Sequence, residues 1–551
     1  MMIVLEGGIA MSTRNFLNSG AGYDLFEAEA LAPTYVDKTM LIDEVCRYRV
    51  GKRYICITRP RRFGKTVAAN MIAAFFDEST AKKSRALFEG MQIGRLKESQ
   101  EKASAKSMDP SLCWPQQGKH KVIRINMIDL ISDKTQSYLD FRKKLDRRML
   151  ADLNSVYPAL SLDEADLGKM DLSEILERTN DRFVFVIDEW DALFEKSFMT
   201  EADKEAYIDF LKNLLKDKAY VHLAYMTGIL PIAKYSSGSP LNMFDEFHCF
   251  NDVTFHAYFG LTKKEISALM REKGLRKPTL RDLASWYDGY VQKGGVHVYN
   301  PSSVSKALRQ GVCMDNWGGT GRMNEIRLLL QNNVEGLRDD IIRMVSGETL
   351  DIQLGGFSVA ESSVGTRDEI LSAMVVYGFL SYYKGKLRIP NRELMLKFKT
   401  ALASQPMGLK QTLDNSMALL KATLARDEEK VARLVEQVHD ENIPHVHYND
   451  ENSLACVVVV GYLAARDMYD VKREDPSGKG YADFVFEPYA KGSIPVILEL
   501  KYNHSAKNAI ESIHKRGYIA RFKNHRRVLL VGINYSTATK KHTCLTELVE
   551  Q

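Results

Sequence analysis

The stretch YICITRPRRFGKTVAANMIAAFF, residues 54–76, constrains the fold most tightly. It passes from a strand pattern of apolar residues through a tight basic turn into an amphipathic helix, which is the building unit of a parallel α/β sheet. Within it, Gly64-Lys65-Thr66 matches the end of the phosphate-binding pattern G-x-x-x-x-G-K-[ST]. The position of the first glycine holds Arg59, followed by Pro60. A loop of this kind aims successive backbone N–H groups and a helix N-terminus at phosphate oxygens, with lysine as a mobile charge and Ser/Thr on a magnesium ion. Proline has no N–H to donate. The nucleotide-binding donors are therefore expected from Arg61, Arg62, Phe63, Gly64, Lys65 and Thr66, with Thr66 on the metal. On its own the segment fits a basic strand-to-helix turn equally well.

Further strand patterns follow at VIRINM (122–127), FVFVI (183–187) and VHLAYMT (221–227), with helical periodicity between them, as in AYIDFLKNLLKD (206–217). Alternation of this kind predicts a parallel sheet covered by helices, with a fifth strand expected around VTFHAYFG (253–260). FVFVIDEWDALF places Asp188 and Glu189 where a buried strand ends. A metal-holding aspartate and a water-activating glutamate are needed at that place in a nucleotide hydrolase, which turns the ambiguous loop into an ATP site. Thr227, at the end of the next strand, is positioned to sense the γ-phosphate or orient the attacking water, and an ordinary strand-end threonine fits equally well. The polar segment 97–121 has no apolar period and is expected to form an exposed insertion or loop.

At 551 residues the chain is too long for one core. A net charge of +5 is small for that length, so local clusters rather than total charge must identify a polyanionic partner. Seven scattered cysteines without a C-x-x-C pair indicate neither a disulfide framework nor a zinc ribbon, and fit a reducing cytoplasm. No apolar run is long enough to span a membrane, and Met11 stands as an alternative start to Met1.

Residues 261–440 read as mainly helical. Near 368–398 the order helix, hairpin, helix is that of a winged-helix-like unit, an order that a purely structural subdomain shares. The last 110 or so residues begin a new small α/β pattern. GYADFVFEP and SIPVILELKYN carry Asp483, Glu499 and Lys501. Residues two apart in a strand face one side, so Glu499 and Lys501 project together. With Asp483 on a neighbouring strand, two carboxylates converge on one cation with an ammonium beside them, a set suited to metal-dependent phosphodiester hydrolysis. A solvated face of alternating charge would have the same sequence.

YVDKT (35–39), TRPRRFGKT (58–66), VIDEWDA (186–192), MTGILPIAK (226–234), YFGLTKKEI (258–266), WYDGY (286–290) and VYNPSSV (298–304) together resemble bacterial AAA-ATPase-like proteins that carry a C-terminal PD-(D/E)XK nuclease-like domain. The resemblance implies that Arg59 is a family trait, that Lys65 and Thr66 bind ATP, and that Asp188 and Glu189 form the Walker B pair. It also implies Asp483, Glu499 and Lys501 as the nuclease site, with Glu451 as an additional metal ligand. Two departures stand out: Gly480-Tyr481-Ala482-Asp483 where Gly-Arg-x-Asp is common, and Ser512-Ile513 where Gln-Ile is usual. HKRGYIARFKNHRR (514–527) puts Lys515, Arg516, Arg521, Lys523, Arg526 and Arg527 beside that site, where they fit a solvated helix face by default and equally a contact with nucleic-acid phosphates, with Tyr518 available for stacking. HVH (445–447) has too few partners for a metal site.

The expected architecture is a lead-in (1–50), an AAA-like P-loop NTPase domain with a parallel sheet (51–260), a mainly helical, winged-helix-like region (261–440) and a restriction-endonuclease-like α/β domain (441–551). The expected cofactors are ATP and Mg²⁺. The expected partner is nucleic acid, DNA foremost, with a second copy of the chain also compatible. The competing reading is an ATP-dependent switch or scaffold that grips nucleic acid or protein without cleaving it.

Overall fold

The computed structural model describes residues 14–105, 109–162, 170–232, 241–249, 252–316, 334, 336–345, 347–353, 366–403, 409–442, 451–477, 480–490 and 492–551. Two compact units divide the chain. One takes in Met1–Asp315 and, later in the chain, Leu371–Phe379; the other includes Leu380–Gln551 and shorter pieces before it.

The first unit is built on β1 (Tyr54–Thr58), β2 (Lys121–Asn126), β3 (Phe183–Asp188), β4 (Val221–Gly228) and β5 (Asp245–His248), in the order β2-β3-β4-β1-β5. All four pairings are parallel. Successive strand residues enter opposite cores. Tyr54, Cys56, Phe183, Phe185 and Ile187 join one cluster, while Ile55, Ile57, Val184 and Val186 join the other. Burial on both faces explains why these strands read as continuous apolar runs. The helix Lys65–Phe76 follows β1 directly and buries all but its second and third residues, because small alanines let it lie close to its neighbours.

Two sequence expectations change here. The fifth strand is β5, and 253–260 instead contains a short 3-10 turn, His256–Tyr258. Phe255 and Phe259 are four residues apart and both buried, a helical rather than an alternating spacing. Asp252 fixes the turn by accepting the N–H groups of Thr254 (2.8 Å) and Phe255 (2.7 Å). Segment 97–121 is not simply a loop. Lys97–Ser104 is helical, and the buried Gln100 amide oxygen accepts the N–H groups of Cys113 and Trp114, both at 3.0 Å. The buried Trp114 indole anchors the segment. Beyond the sheet, the hairpin β6 (Tyr290–Gln292) and β7 (Val296–Val298) lies between helices Leu280–Tyr287 and Pro301–Gln310.

In the second unit, β8 (Leu350–Asp351), β9 (Ser381–Tyr383) and β10 (Lys386–Arg388) form a small antiparallel sheet in the order β8-β10-β9. Along the chain, the helix Arg367–Val376 precedes the β9–β10 hairpin and Arg392–Ala403 follows it, the expected order of elements. The C-terminal sheet comprises β11 (Tyr469–Ser477), β12 (Gly480–Pro488), β13 (Val496–Tyr502), β14 (Arg527–Ser536) and β15 (Lys541–Glu550), in sequential order. Only β13 and β14 pair in parallel, because the helix Ala506–Arg516 crosses between them. That helix covers one face, over Val485, Ile497 and Leu530. On the other face Phe484, Phe486, Leu498 and Val531 meet residues of the helices Leu409–Ala425, Glu428–Asn442 and Glu451–Gly461.

Candidate functional sites

The phosphate loop leaves β1 at Thr58 and enters its helix through Gly64, whose φ of 88° is the left-handed value a glycine adopts without strain. Arg59 turns inward and is 1% exposed. Its N–H donates to Gly228 O at 3.1 Å, and its guanidinium donates to Thr58 O (2.8 Å) and Phe247 O (2.6 Å). It forms a fully buried ion pair with Asp252 and lies 4.9 Å from the Phe259 ring centre. Arg59 thus ties the loop to β5 and the turn beyond it.

Pro60 rests on Gly378, where an added Cβ would stand 2.6 Å from the proline Cβ. Phe63 is buried with its ring edge-on to Tyr290 at 5.0 Å, so its side chain backs the loop and only its backbone can serve a phosphate. Tyr290 OH in turn donates to Gly378 O at 2.7 Å. Arg61 reaches Glu195 at 3.4 Å, and Arg62 holds a positive φ of 68°. Lys65 Nζ donates to the loop's own carbonyls, Arg59 O at 2.9 Å and Pro60 O at 3.0 Å. Burial lowers the Lys65 pKa to about 8, against the pull of Asp191, Asp188 and Glu189. Thr66 is exposed in the first turn of the helix, where backbone N–H groups lack intrahelical partners.

Asp188 is fully buried at the end of β3. The strand between it and the phosphate loop is β4, whose Thr227 hydroxyl donates to Asp188 Oδ1. Thr227 is itself fully buried. Asp188 Oδ2 is buried without a hydrogen-bond partner among the described residues, an environment that fits an oxygen able to ligate a divalent cation. Glu189 sits at φ 51°, and burial, followed by the Asp188 charge, raises its pKa.

Sequence reasoning missed Asp191, three residues beyond Asp188. This buried carboxylate accepts the N–H groups of Ile229 (2.9 Å) and Leu230 (2.7 Å), fixing the chain just after β4. Its only signal was the second aspartate of VIDEWDA, between Trp190 and Ala192.

In the second unit, β12 and β13 pair through Phe484↔Leu498 and then part. Asp483 sits in the fork and accepts the Leu500 N–H on Oδ2 at 2.7 Å. Glu499 and Lys501 follow on one side of β13, with Lys501 Nζ 3.5 Å from Glu499 Oε1 and 2.8 Å from Leu500 O. Arg516, at the end of the crossing helix, reaches the same Glu499 oxygen at 3.6 Å. Glu499 is 1% exposed, and its Oε2 is buried without a partner among the described residues. Burial and the neighbouring Asp483 raise the Glu499 pKa to about 7, opposed by Lys501 and Arg516.

The stacking role expected of Tyr518 is ruled out by its position. Its ring is fully buried, and its hydroxyl donates to Tyr481 O at 2.5 Å while accepting from Arg516 at 2.9 Å. Lys515, Arg516, Lys523, Arg526 and Arg527 are exposed, and Arg521 lies 3.6 Å from Glu487. Glu451 begins a helix, but its side chain lies outside the described residues, as does HVH at 445–447.

Comparison with known proteins matches two separate regions of the chain to different families. Residues 28–237 match the family described as a predicted AAA-ATPase, and residues 449–543 match the PD-(D/E)XK nuclease superfamily. No curated protein matches the chain. Among solved structures, the Walker-type ATPase PABY2304 of Pyrococcus abyssi aligns at 13% identity over 65% of this chain and 94% of its own, with a TM-score of 0.31. The Aeropyrum pernix ORC2 protein, solved in ADPNP–ADP complexes, aligns at 9% identity over 67% and 95%, with a TM-score of 0.32. The chain therefore carries an N-terminal AAA-ATPase-like domain and a C-terminal domain of the PD-(D/E)XK nuclease superfamily.

Proposed function

We propose that the chain binds and hydrolyses ATP and couples this to a magnesium-dependent nuclease domain acting on nucleic acid, DNA foremost. One observation carries the reading, and it recurs in both units. A carboxylate oxygen is buried without a hydrogen-bond partner among the described residues, Asp188 Oδ2 in one and Glu499 Oε2 in the other, within the charge field of a lysine, Lys65 or Lys501.

In the first unit the amides from Arg61 to Thr66 and the Lys65 ammonium bind the phosphates. Lys65 exchanges the Arg59 and Pro60 carbonyls for phosphate oxygens as it does so. Thr66 and Asp188 would hold magnesium. Glu189, made more basic by burial and by Asp188, takes the proton of the attacking water. In the second unit Asp483 and Glu499 would hold the cation, and Lys501 steadies charge on the phosphate. A bound divalent cation supplies charge neutralisation and a more acidic water.

Incubating plasmid and linear DNA with the protein and Mg²⁺, with and without ATP, tests the reading. Cleavage that Asp483→Ala and Lys501→Ala abolish while ATP turnover persists is expected, and Lys65→Ala should abolish nucleotide binding. Absence of cleavage under any divalent metal would leave binding without cleavage as the function.

A further inference from the structure

The departure from Gly-Arg-x-Asp puts an aromatic residue beside the C-terminal site. Tyr481 is 63% exposed and lies two residues before Asp483 on β12. Exposure alternates here, with Tyr481 exposed, Ala482 buried and Asp483 partly exposed, so Tyr481 and Asp483 lie on one side of the strand, the side that the crossing helix covers farther along at Val485. Two residues of extended strand advance about 6.6 Å, which keeps the ring next to the carboxylate.

The backbone that carries this ring is fixed. Tyr481 O accepts the hydroxyl of the buried Tyr518, and that hydroxyl accepts from Arg516, which also reaches Glu499. A chain of polar contacts therefore joins Tyr481 to the carboxylate pair where β12 and β13 part. Around it, Lys501 and the exposed Arg516, both within reach of Glu499, are cations suited to a phosphate backbone.

We propose that Tyr481 is a specificity residue that stacks on an unpaired nucleobase flanking the phosphate held at Asp483 and Glu499, so that the domain prefers single-stranded or frayed nucleic acid to closed duplex. The proposal rests on the nuclease-domain reading above. Its chemistry is that of an aromatic face beside a cationic phosphate site, which suits any base because every base has a π-face. Bases inside a duplex are already stacked on their neighbours and leave that face free only at ends, loops and single strands.

The test is fluorescence anisotropy with the full-length protein and Ca²⁺ in place of Mg²⁺, an oxygen-ligated cation that can bridge the carboxylates and a phosphate while supporting hydrolysis poorly. A labelled single-stranded oligonucleotide is compared with a closed hairpin duplex carrying the same sequence. Tyr481→Ala should weaken single-strand binding about 5- to 150-fold, the range for loss of one stacked base, and leave hairpin binding unchanged. Tyr481→Phe keeps the ring and should bind as the unmodified protein does, which controls for disturbance of the strand. Equal losses on both substrates, or no loss on the single strand, would overturn the stacking role while leaving the nuclease reading standing. If the unmodified protein binds neither substrate, the nucleic-acid reading of the domain falls, and this inference with it.

Discussion

Replacing Arg59 with glycine would restore the usual spacing of a phosphate loop, yet the structure predicts harm. The guanidinium is enclosed with Asp252, both side chains at 0% exposure, and it also donates to Thr58 O and Phe247 O. Removing one partner of a buried ion pair costs about 3–5 kcal/mol, because the remaining charge loses its counter-charge without regaining water. Asp252 would still accept the N–H groups of Thr254 and Phe255, which argues for the lower end, about 3 kcal/mol. The added backbone freedom of glycine contributes about 0.5–1 kcal/mol more. Urea unfolding of Arg59→Gly, Asp252→Asn and the double variant, followed by a probe in the first unit, completes a thermodynamic cycle. The double variant should be markedly less destabilised than the sum of the singles. An Arg59→Gly protein that unfolds at the urea concentration of the unmodified protein, or later, would refute the staple and make Arg59 a replaceable loop residue.

Three other outcomes follow from the same unit. Gly378→Ala introduces a Cβ 2.6 Å from that of Pro60 at a φ of +83°, and should weaken nucleotide affinity measured by calorimetry while Gly274→Ala, in open space, leaves it unchanged. Asp191→Ala frees the amides of Ile229 and Leu230 beside the loop; stability should fall by about 1–3 kcal/mol per amide left buried and unpaired, and a denaturant midpoint equal to that of the unmodified protein would exclude the role. His120 and His222 stack at 4.2 Å, and burial depresses their pKa values from 6.5 to about 4 and about 3. Because the folded state holds them neutral while the unfolded chain protonates near pH 6.5, stability should be level above that pH and fall as the pH drops from 6.5 through about 4. His222→Phe should flatten that acid limb in urea titrations run across the range.

The parts of this protein that follow a local rule were legible from the chain. β1, β3 and β4 announce themselves because burial on both faces demands unbroken apolar runs, and Glu499 and Lys501 share a side because strand periodicity is two. Gly64-Lys65-Thr66 was recognisable from its place between strand and helix. The parts that depend on distant partners were not. Arg59 meets Asp252 across 193 residues, so its burial has no local signature. β5 reads DEFH, and β15 reads KHTCLTELVE; neither has the apolar run that marks an interior strand. Tyr518 and Tyr481 stand in similar basic or polar contexts, and only the packing of the crossing helix decides which ring is inside. Arg516 joins Glu499 from the end of that helix, a meeting set by tertiary structure rather than spacing.

Phe63 on Tyr290 and Pro60 on Gly378 carry a lesson for cutting the protein into pieces. The family match ends at residue 237, and a fragment trimmed there would contain every motif of the nucleotide site. It would lack Asp252, Tyr290 and Gly378, residues from farther along the chain that help form the back wall of the loop, as well as the Phe247 carbonyl that Arg59 reaches. Such a fragment is expected to express as a weak or inactive nucleotide binder. Its failure would reflect where the scissors fell, since the motif and the smallest piece able to support it have different lengths.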